Sequence, residues 1–271
     1  MYDLTDKEFR LFQKFIYETT GINLNDSKRL LLIGRLSKRL RARELDRFID
    51  YYEYLQSSAE RDQELIQLIN AITTNKTDFF REIAHFEYLK GHILPAIRAR
   101  GQRNLRVWCA ASSTGEEPYS LAMVIHDFFD GAPGLDIKLL ATDLDTNVLE
   151  LGRQGVYDPA RVKDVPAYYR RKYVIPAPDG NKVRMHEALR SMISFKRLNL
   201  MQPRFPFRKG FDIIFCRNVI IYFKKEDRPL LINRFREVLR EDGYLVLGHS
   251  ESLLNETQGF KAVANTIYLK A

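Results

Sequence analysis

The segment from Leu105 to Ser120, LRVWCAASSTGEEPYS, carries the residues with the clearest chemical potential in this chain. Its apolar start is typical of a buried strand, the small residues and Gly115 are typical of a tight loop, and the acids and Pro118 are typical of a helix start. Because the loop side chains are small or absent, its backbone amides could approach a ligand closely. The pattern therefore predicts a nucleotide-like cofactor at this loop.

Glu116 and Glu117 restrict the kind of cofactor that the loop could hold. The loop lacks the G-x-G-x-x-G and G-x-x-x-x-G-K-[ST] phosphate-binding patterns, and its two acids would repel a phosphate. Acids favour a ligand with positive charge or hydroxyls, and S-adenosylmethionine (SAM) has an ammonium, a sulfonium and a ribose diol. The alternative is that both acids only stabilise the first turn of a helix that begins at Pro118.

A further acid, Asp143, follows the apolar run Ile137–Thr142. A carboxylate at the end of the second strand of a doubly wound sheet commonly binds ribose hydroxyls. The helix after it is predicted to start near Asp145 or Thr146 and to stop at Gly155. Asp143 could instead be a helix-entry acid, and Asp145 could share or take the ribose role.

The elements that must position these acids change in type near residue 100. After Gly101, predicted strands near Leu105, Ile137, Phe211 and Tyr244 alternate with helices, which indicates a mostly parallel sheet. GYLVLGH and ANTIYLK suggest an antiparallel pair at the end. Before residue 100, apolar residues at helical spacing predict an all-helical region. They are Phe9, Phe12 and Ile16; Leu30, Leu31, Leu36 and Leu40; Phe48, Tyr52 and Leu55; Leu65, Leu68 and Ile69; and Phe79 to Ile97.

The alternation of strands and helices breaks between Asp158 and Leu200. PAPDGNK has turn chemistry, and the flanking KYVI, KVRMHEAL and MISFKRL are predicted to contain short antiparallel strands.

Six collinear segments cover most of the chain: ITTNKTDFFRE (72–82), WCAASSTGEEPYSLAM (108–123), ATDLDTNVLELGRQGVYD (141–158), RLNL (197–200), FDIIFCRNVIIYF (211–223) and GYLVLGHSESL (243–253). Together they resemble the CheR family of chemotaxis receptor glutamate O-methyltransferases. The resemblance implies SAM-dependent methyl transfer to glutamate side chains of chemoreceptors. The products would be glutamyl methyl esters, which serve adaptation, and S-adenosylhomocysteine (SAH), with no metal required.

The resemblance also implies an α/β architecture with three parts. A Rossmann-like class I SAM-dependent methyltransferase domain is expected over residues 86–271, and it contains a small inserted antiparallel β-subdomain at about 159–200. An N-terminal all-helical domain with a basic, receptor-facing surface is expected over residues 1–85.

Site roles follow from the same resemblance. Asn75, Thr77 and Arg81 are expected to form a lip over the cofactor, with Arg81 holding a carboxylate of either the cofactor or the substrate. The alternative for Arg81 is a surface ion pair with Asp78 or Glu82.

The other expected site residues follow the strands. Glu117 would accept the cofactor's ammonium and Asp143 its ribose hydroxyls. Tyr222 would orient the acceptor carboxylate and so act with Arg81 in catalysis, unless it is a core aromatic residue. Asn199 and Leu200 would flank the adenine. Asn218 and Val219 follow the fourth predicted strand and would also contact the cofactor. His249 is interpreted as a structural residue.

Composition limits the classes of partner. The chain has 271 residues, a net charge of +8 and no apolar run near the roughly 18 residues that cross a bilayer, so membrane insertion is not expected. MYDLTDKEFRLFQKF has no signal-peptide core, which favours a cytoplasmic location. Cys109 and Cys216 lie in predicted strands and are expected to be inert core thiols.

Basic residues concentrate in one stretch, which we call the basic cluster. Such a stretch is usually a solvated face, but it could dock an acidic protein surface or a nucleic acid. No RNA-binding module or D-P-P-Y segment is present, so a nucleic-acid partner is not expected. The basic cluster consists of Lys28, Arg29, Arg35, Lys38, Arg39, Arg41, Arg43 and Arg47.

Three points of function stay open in the sequence. The turn PAPDGNK is compact, whereas relatives that tether to a receptor's C-terminal peptide have a longer, glycine-rich turn, so tethering is not expected. A small-molecule or nucleic-acid methyltransferase is one alternative function. A non-catalytic module that binds SAM or SAH as a signal is another.

Overall fold

The N-terminal part of the molecule is helical, as predicted. The computed structural model describes residues 2–130, 134–178, 180–207, 210–252 and 259–271. In these ranges no helix combines the length and apolar character needed to span a bilayer. The N-terminal helices are α1 (Asp6–Thr20), α2 (Arg29–Ala42), α3 (Phe48–Ser57) and α4 (Arg61–Ile72).

The apolar faces of these helices pack into a core of their own. On α2 the buried residues are Leu32, Leu36 and Leu40, which lie one helical turn apart and therefore on one face. Leu30 and Leu31, which belong to the same helical pattern, lie off that face and are 81% and 36% exposed.

Half of the basic cluster forms ion pairs inside the helical part. Glu64 of α4 is fully buried and accepts hydrogen bonds from Arg39 Nη2 at 2.8 Å and Arg43 Nε at 2.7 Å. These partners offset the cost of removing a carboxylate from water. Arg29 and Arg47 pair with nearby aspartates. The cluster members with no acidic partner among the described residues are Lys28, Arg35, Lys38 and Arg41.

Helices and strands alternate after residue 83. α5 (Ala84–Tyr88) continues through a π-helical turn, Leu89–Ile93, into α6 (Leu94–Ala99). The later helices are α7 (Glu116–Phe129), α8 (Thr146–Gln154), α9 (Ala167–Tyr173), α10 (Glu187–Arg190) and α11 (Arg228–Val238). The strands are β1 (Asn104–Cys109), β2 (Asp136–Asp143), β3 (Val156–Tyr157), β4 (Val174–Pro176), β5 (Val183–Met185), β6 (Ile193–Arg197), β7 (Phe211–Cys216), β8 (Leu239–Leu247), β9 (Phe260–Ala264) and β10 (Ile267–Lys270).

A seven-stranded sheet in the order β6-β2-β1-β7-β8-β10-β9 forms the centre of this part. The first five strands in that order are parallel, and β10 pairs antiparallel with β8, which confirms the predicted terminal pair. Apolar cores fill both faces of the sheet. Strand order reverses between β1 and β7, and open α/β sheets bind ligands at the carboxyl ends beside such a reversal.

A second sheet, with strands in the order β3-β5-β4, is antiparallel and confirms the predicted small β-structure. The prediction for MISFKRL was wrong, because β6 pairs parallel with β2 in the main sheet, and HEAL forms α10. Phe195 of β6 packs so closely on Gly152 of α8 that a Cβ there would lie 2.5 Å from its ring. This contact with α8 buries the apolar face of β6 and so stabilises β6 in the main sheet. Residues 131–133 and Asp179 of PAPDGNK lie outside the described residues.

Hydrogen bonds join the helical part to the carboxyl edge of the main sheet. The backbone N–H of Asn23 donates to the Tyr222 carbonyl at 2.8 Å, and the side-chain amide of Asn199 donates to the Thr19 carbonyl at 3.1 Å. The end of α1 therefore covers the edge where the topology predicts a ligand.

Candidate active site

A cavity of about 280 Å³ lies at this edge, between the ends of β1, β2 and β7 and the helical part. The ten residues that the resemblance placed at the site all line the cavity, although they come from five separate segments of the chain. These residues are Asn75, Thr77, Arg81, Glu117, Asp143, Asn199, Leu200, Asn218, Val219 and Tyr222. The structure brings them together, and their roles toward a ligand stay predictions.

Glu117 lies at one end of a largely buried chain of charges. Arg217 Nη1 donates to Glu117 at 2.8 Å, and Arg217 Nη2 donates to Glu82 at 3.0 Å. The Arg217 side chain is 1% exposed, and the Cys109 thiol donates to the other Glu117 oxygen at 3.2 Å. Burial raises the pKa of Glu117, and the charge of Arg217 opposes that rise. Arg217 thus lies between two carboxylates, of which Glu117 lines the cavity and Glu82 does not.

Glu116 does not face the cavity. α7 starts at Glu116, two residues before the predicted start, so both acids lie in its first turn. Glu116 is 1% exposed and forms an ion pair with Arg161. Burial raises the pKa of Glu116. For Glu116 the alternative of a structural first-turn acid therefore holds, whereas Glu117 reaches the site.

Asp143 ends β2 beside the loop that follows β1. Its carboxylate accepts the backbone N–H of Ser113 at 2.8 Å and that of Asp145 at 3.0 Å. Asp145 is the N-cap of α8, which ends at Gly155 as predicted. The Asp145 carboxylate also accepts the side-chain amide of Asn75 at 2.7 Å. Asp145 is therefore committed to structure, and Asp143 is the acid that lines the cavity.

Arg81 and Tyr222 present side chains that are available to a ligand. In the described part of the chain, Arg81 forms no ion pair with Asp78 or Glu82, and its guanidinium donates only to the Lys76 carbonyl, at 3.2 Å. The Tyr222 hydroxyl has no hydrogen-bond partner there either. The buried aromatic residue of this turn is Phe223, at 5% exposure.

The sequence analysis did not assign four basic residues of the cavity wall to the site: Lys28, Arg35, Lys76 and Arg217. For Arg217 a signal existed, since a charged residue directly follows the apolar strand β7 at its carboxyl end. Lys28 and Arg35 reach the cavity only because the helical part packs over the sheet, and no local pattern predicts that contact.

Glu82, His85 and His249 form a cluster beside the cavity. Within the described ranges their side chains offer ligand atoms within 4.8 Å of one another, a proximity that the sequence analysis did not predict. Arg217 Nη2 and the His249 backbone N–H already donate to the same Glu82 oxygen. Burial lowers the pKa of His85 to about 4. The structural role expected of His249 stays a prediction.

Replacing Gly115 with alanine is expected to lower the free energy of unfolding by about 2 kcal/mol or more. Gly115 has a φ of 103°, and a Cβ there would lie 2.6 Å from the Tyr157 hydroxyl and 3.0 Å from Gly152 Cα. Urea denaturation measures the change. Gly34→Ala is the matched control, because Gly34 is helical with open space around a Cβ, and it should be neutral or stabilising by up to about 1 kcal/mol. Equal effects at the two sites would contradict this account.

Two family models match the chain. The model described as CheR methyltransferase, all-alpha domain, matches residues 7–73, and the model described as CheR methyltransferase, SAM binding domain, matches residues 75–269. The chain belongs to the CheR methyltransferase family. The resemblance seen in the six segments is thereby confirmed.

Curated relatives agree with this assignment. The chemotaxis protein methyltransferase of Borreliella burgdorferi is 40% identical over 93% of this chain and 90% of that protein. The proteins of the same name from Salmonella typhimurium and Escherichia coli are 40% and 39% identical, each over 98% of this chain and 90% or 91% of the relative. This CheR family member is therefore a SAM-dependent methyltransferase of chemotaxis.

The cavity fits SAM in this CheR family member. The carboxylate of Glu117 suits a cationic group of the ligand, and the carboxylate of Asp143 suits hydroxyl donors. Leu200 and Val219 add apolar surface of the kind that an adenine ring needs.

The affinity of the free protein for SAH is expected to fall about tenfold between pH 8 and pH 5. Burial raises the pKa of Asp143 to about 6. In its predicted role the ionised carboxylate would accept ribose hydroxyls, so binding should be complete above that pKa and should weaken as Asp143 gains a proton below it. Titration calorimetry across this range measures the slope. Asp143→Asn should bind more weakly at pH 8 and show a shallower slope, and a flat wild-type profile would contradict the assignment.

Proposed function

We propose that this chain transfers methyl groups from SAM to glutamate side chains of chemoreceptors, forming methyl esters in the cytoplasm. The observation that carries the proposal is the cavity itself. Its lining combines Arg81 and Tyr222, whose side-chain polar groups are open to a ligand, with the partly buried acids Glu117 and Asp143.

Methyl transfer to a glutamate carboxylate requires positioning of the reactants rather than a strong base. When bound, SAM supplies an electrophilic methyl group. A glutamate side chain has a reference pKa near 4.3, so it is already an anionic nucleophile at neutral pH. Its main handicap is hydration, and alignment in a partly closed site can supply several kcal/mol. The chain's own task is therefore to exclude water and hold one carboxylate oxygen in line.

Each role falls to a residue of the cavity. Glu117 would accept the ammonium of SAM, Asp143 the ribose hydroxyls, and Asn199 and Leu200 would contact the adenine. Arg81 would hold a carboxylate through charge-assisted hydrogen bonds. Tyr222 would orient the acceptor carboxylate. The further members of the set are Asn75, Thr77, Asn218 and Val219.

The exposed part of the basic cluster supports an acidic protein partner. Lys28, Lys38 and Arg41 are exposed and have no acidic partner among the described residues, and Lys28 also lines the cavity. A receptor helix that carries several methylatable glutamates presents the complementary charge, which would steer the encounter. Arg39 and Arg43 are excluded from this role, since they neutralise Glu64.

The test incubates the protein with methyl-labelled SAM and the cytoplasmic fragment of a chemoreceptor. We expect label in the receptor that base treatment releases as methanol, because esters are alkali-labile. Base-stable label would favour a methyltransferase with another acceptor. Binding of SAH without any transfer would favour the non-catalytic module.

A receptor C-terminal peptide is expected not to bind at micromolar or tighter affinity. The connection between β4 and β5 is short, with the Ala177 N–H donating to the Lys182 carbonyl at 2.9 Å, so little loop extends beyond the small sheet. Direct contact with the methylated helices would then bring the substrate to the cavity. Titration calorimetry with the peptide tests this, and a micromolar dissociation constant would show that tethering occurs.

A further inference from the structure

Asn218 has an unusual backbone conformation directly after β7. Its φ is 57°, in the left-handed region that residues other than glycine rarely adopt. Such conformations persist only where surrounding contacts impose them, and they cluster at functional sites. Asn218 lines the cavity and is followed by the short turn Ile220–Tyr222. The contacts that hold Asn218 therefore also set the position of Tyr222.

The carboxylate of Glu251 supplies those contacts by accepting hydrogen bonds from backbone amides. Its carboxylate accepts the N–H of Asn218 at 2.6 Å, of Gly248 at 2.9 Å and of Ile221 at 3.3 Å. Glu251 is only 6% exposed, so water does not replace these bonds easily. The amides at the start of a helical turn lack backbone acceptors, and a carboxylate satisfies them well. Glu251 does so from a distant part of the chain, the GHSES segment that follows β8.

Two further hydrogen bonds hold the segment from Asn218 to Tyr222. Glu82 accepts the side-chain amide of Asn218 at 3.2 Å, and the Asn23 N–H holds the Tyr222 carbonyl at 2.8 Å. Space around the carboxylate is tight, because a Cβ on Gly248 would lie 2.8 Å from a Glu251 oxygen and 2.6 Å from the Asn218 side chain.

We propose that Glu251 is a positioning residue for methyl transfer, whose carboxylate holds the segment 218–222 so that Asn218 and Tyr222 face the cavity correctly. Glu251 does not line the cavity, so it acts through these two residues rather than on a ligand. The expected effect of Glu251 on kcat rests on the proposed function. Its expected effect on the structure of residues 218–222 rests on the hydrogen bonds to backbone amides alone.

The test compares Glu251→Gln with wild type. A glutamine amide turns an N–H₂ group toward one of the backbone donors, so at least one bond is lost. We expect kcat for receptor methylation to fall about 10- to 100-fold, because misplacement by about 1 Å at a reacting centre costs that much. The KM for receptor should change by less than about threefold, since the basic cluster is intact. The amides of Asn218 and Ile221 should exchange hydrogen faster, while those of β1 keep their rates.

Glu237→Gln is the matched control, because Glu237 is exposed on α11 and, among the described residues, its side chain accepts a hydrogen bond only from Asn233. It should match wild type in kcat and in hydrogen exchange. Gly248→Ala is the second variant, since its Cβ would push on both Glu251 and Asn218, and it should reproduce the loss of kcat. If Glu251→Gln does not fold, Gly248→Ala decides the matter.

The proposal is overturned if the variants lose activity only in proportion to their unfolded fraction, or if kcat stays within about twofold of wild type. If wild type itself does not methylate the receptor fragment, the proposed function fails. The positioning role is then judged by SAH calorimetry and hydrogen exchange. Affinity weakened about threefold or more, with faster exchange at Asn218 and Ile221, supports it, and unchanged values overturn it.

Discussion

Replacement of Arg217 with methionine should lower the free energy of unfolding by about 3–5 kcal/mol, because it leaves buried carboxylates without their cation. The Arg217 side chain is 1% exposed and donates to both Glu82 and Glu117. It also donates to the Arg81 carbonyl and so supports the segment that carries this proposed catalytic residue. Methionine matches the length of the side chain but provides no donor and no charge.

The same substitution should weaken SAH binding by about 100-fold or more. Burial already raises the pKa of Glu117, and the charge of Arg217 counteracts this. Without that charge the pKa of Glu117 rises further, which disfavours the ionised form that attracts an ammonium. Charge-assisted hydrogen bonds contribute about 1.5–3 kcal/mol each, and Arg81 would be displaced as well.

Urea denaturation and SAH calorimetry measure these two effects. Arg100→Met is the matched control, because Arg100 is exposed and donates only to the Asp242 carbonyl at 2.8 Å. Its free energy of unfolding should stay within about 0.5 kcal/mol of wild type. A loss below about 1 kcal/mol in Arg217→Met, with unchanged SAH affinity, would show that the buried charge chain does not support the cavity.

Local chemistry was enough to predict where elements begin and end when single residues control their ends. α8 starts after the N-cap Asp145 and stops at Gly155 because a side-chain acceptor and a left-handed glycine satisfy its terminal groups. The pairing of β6 was beyond such reasoning. The sequence ISFKR alternates in the same way whichever sheet it joins, and the contact of Phe195 with Gly152 of α8 becomes visible only in three dimensions.

The same distinction between local chemistry and tertiary contacts applies to the candidate site. Acids and amides that directly follow strands could be predicted, since the carboxyl ends of parallel strands meet at one edge. Residues that act on these side chains could not. Arg217 lies 100 positions from Glu117, and Glu251 lies 33 positions from Asn218, so their pairing depends on the finished fold. Sequence therefore indicates the groups that meet a ligand better than the groups that hold them in place.

Tyr222→Phe should lower kcat for receptor methylation by about 10- to 100-fold, with the affinity for SAH within about threefold of wild type. A hydrogen bond to a charged acceptor contributes about 1.5–3 kcal/mol, and this one is proposed to orient the attacking carboxylate. Among the described residues the Tyr222 hydroxyl has no hydrogen-bond partner, so its removal should change the free energy of unfolding by less than about 0.5 kcal/mol. The loss would therefore be kinetic rather than structural.

Release of labelled methanol gives kcat, and calorimetry and urea denaturation give the other two quantities. Tyr168→Phe is the matched control, because its hydroxyl donates to Asp127 on the surface, outside the cavity lining. It should leave kcat unchanged. If Tyr222→Phe keeps wild-type kcat, the hydroxyl does not orient the acceptor, and Arg81 alone must provide that alignment. If SAH affinity falls in parallel with kcat, Tyr222 belongs to the cofactor site instead.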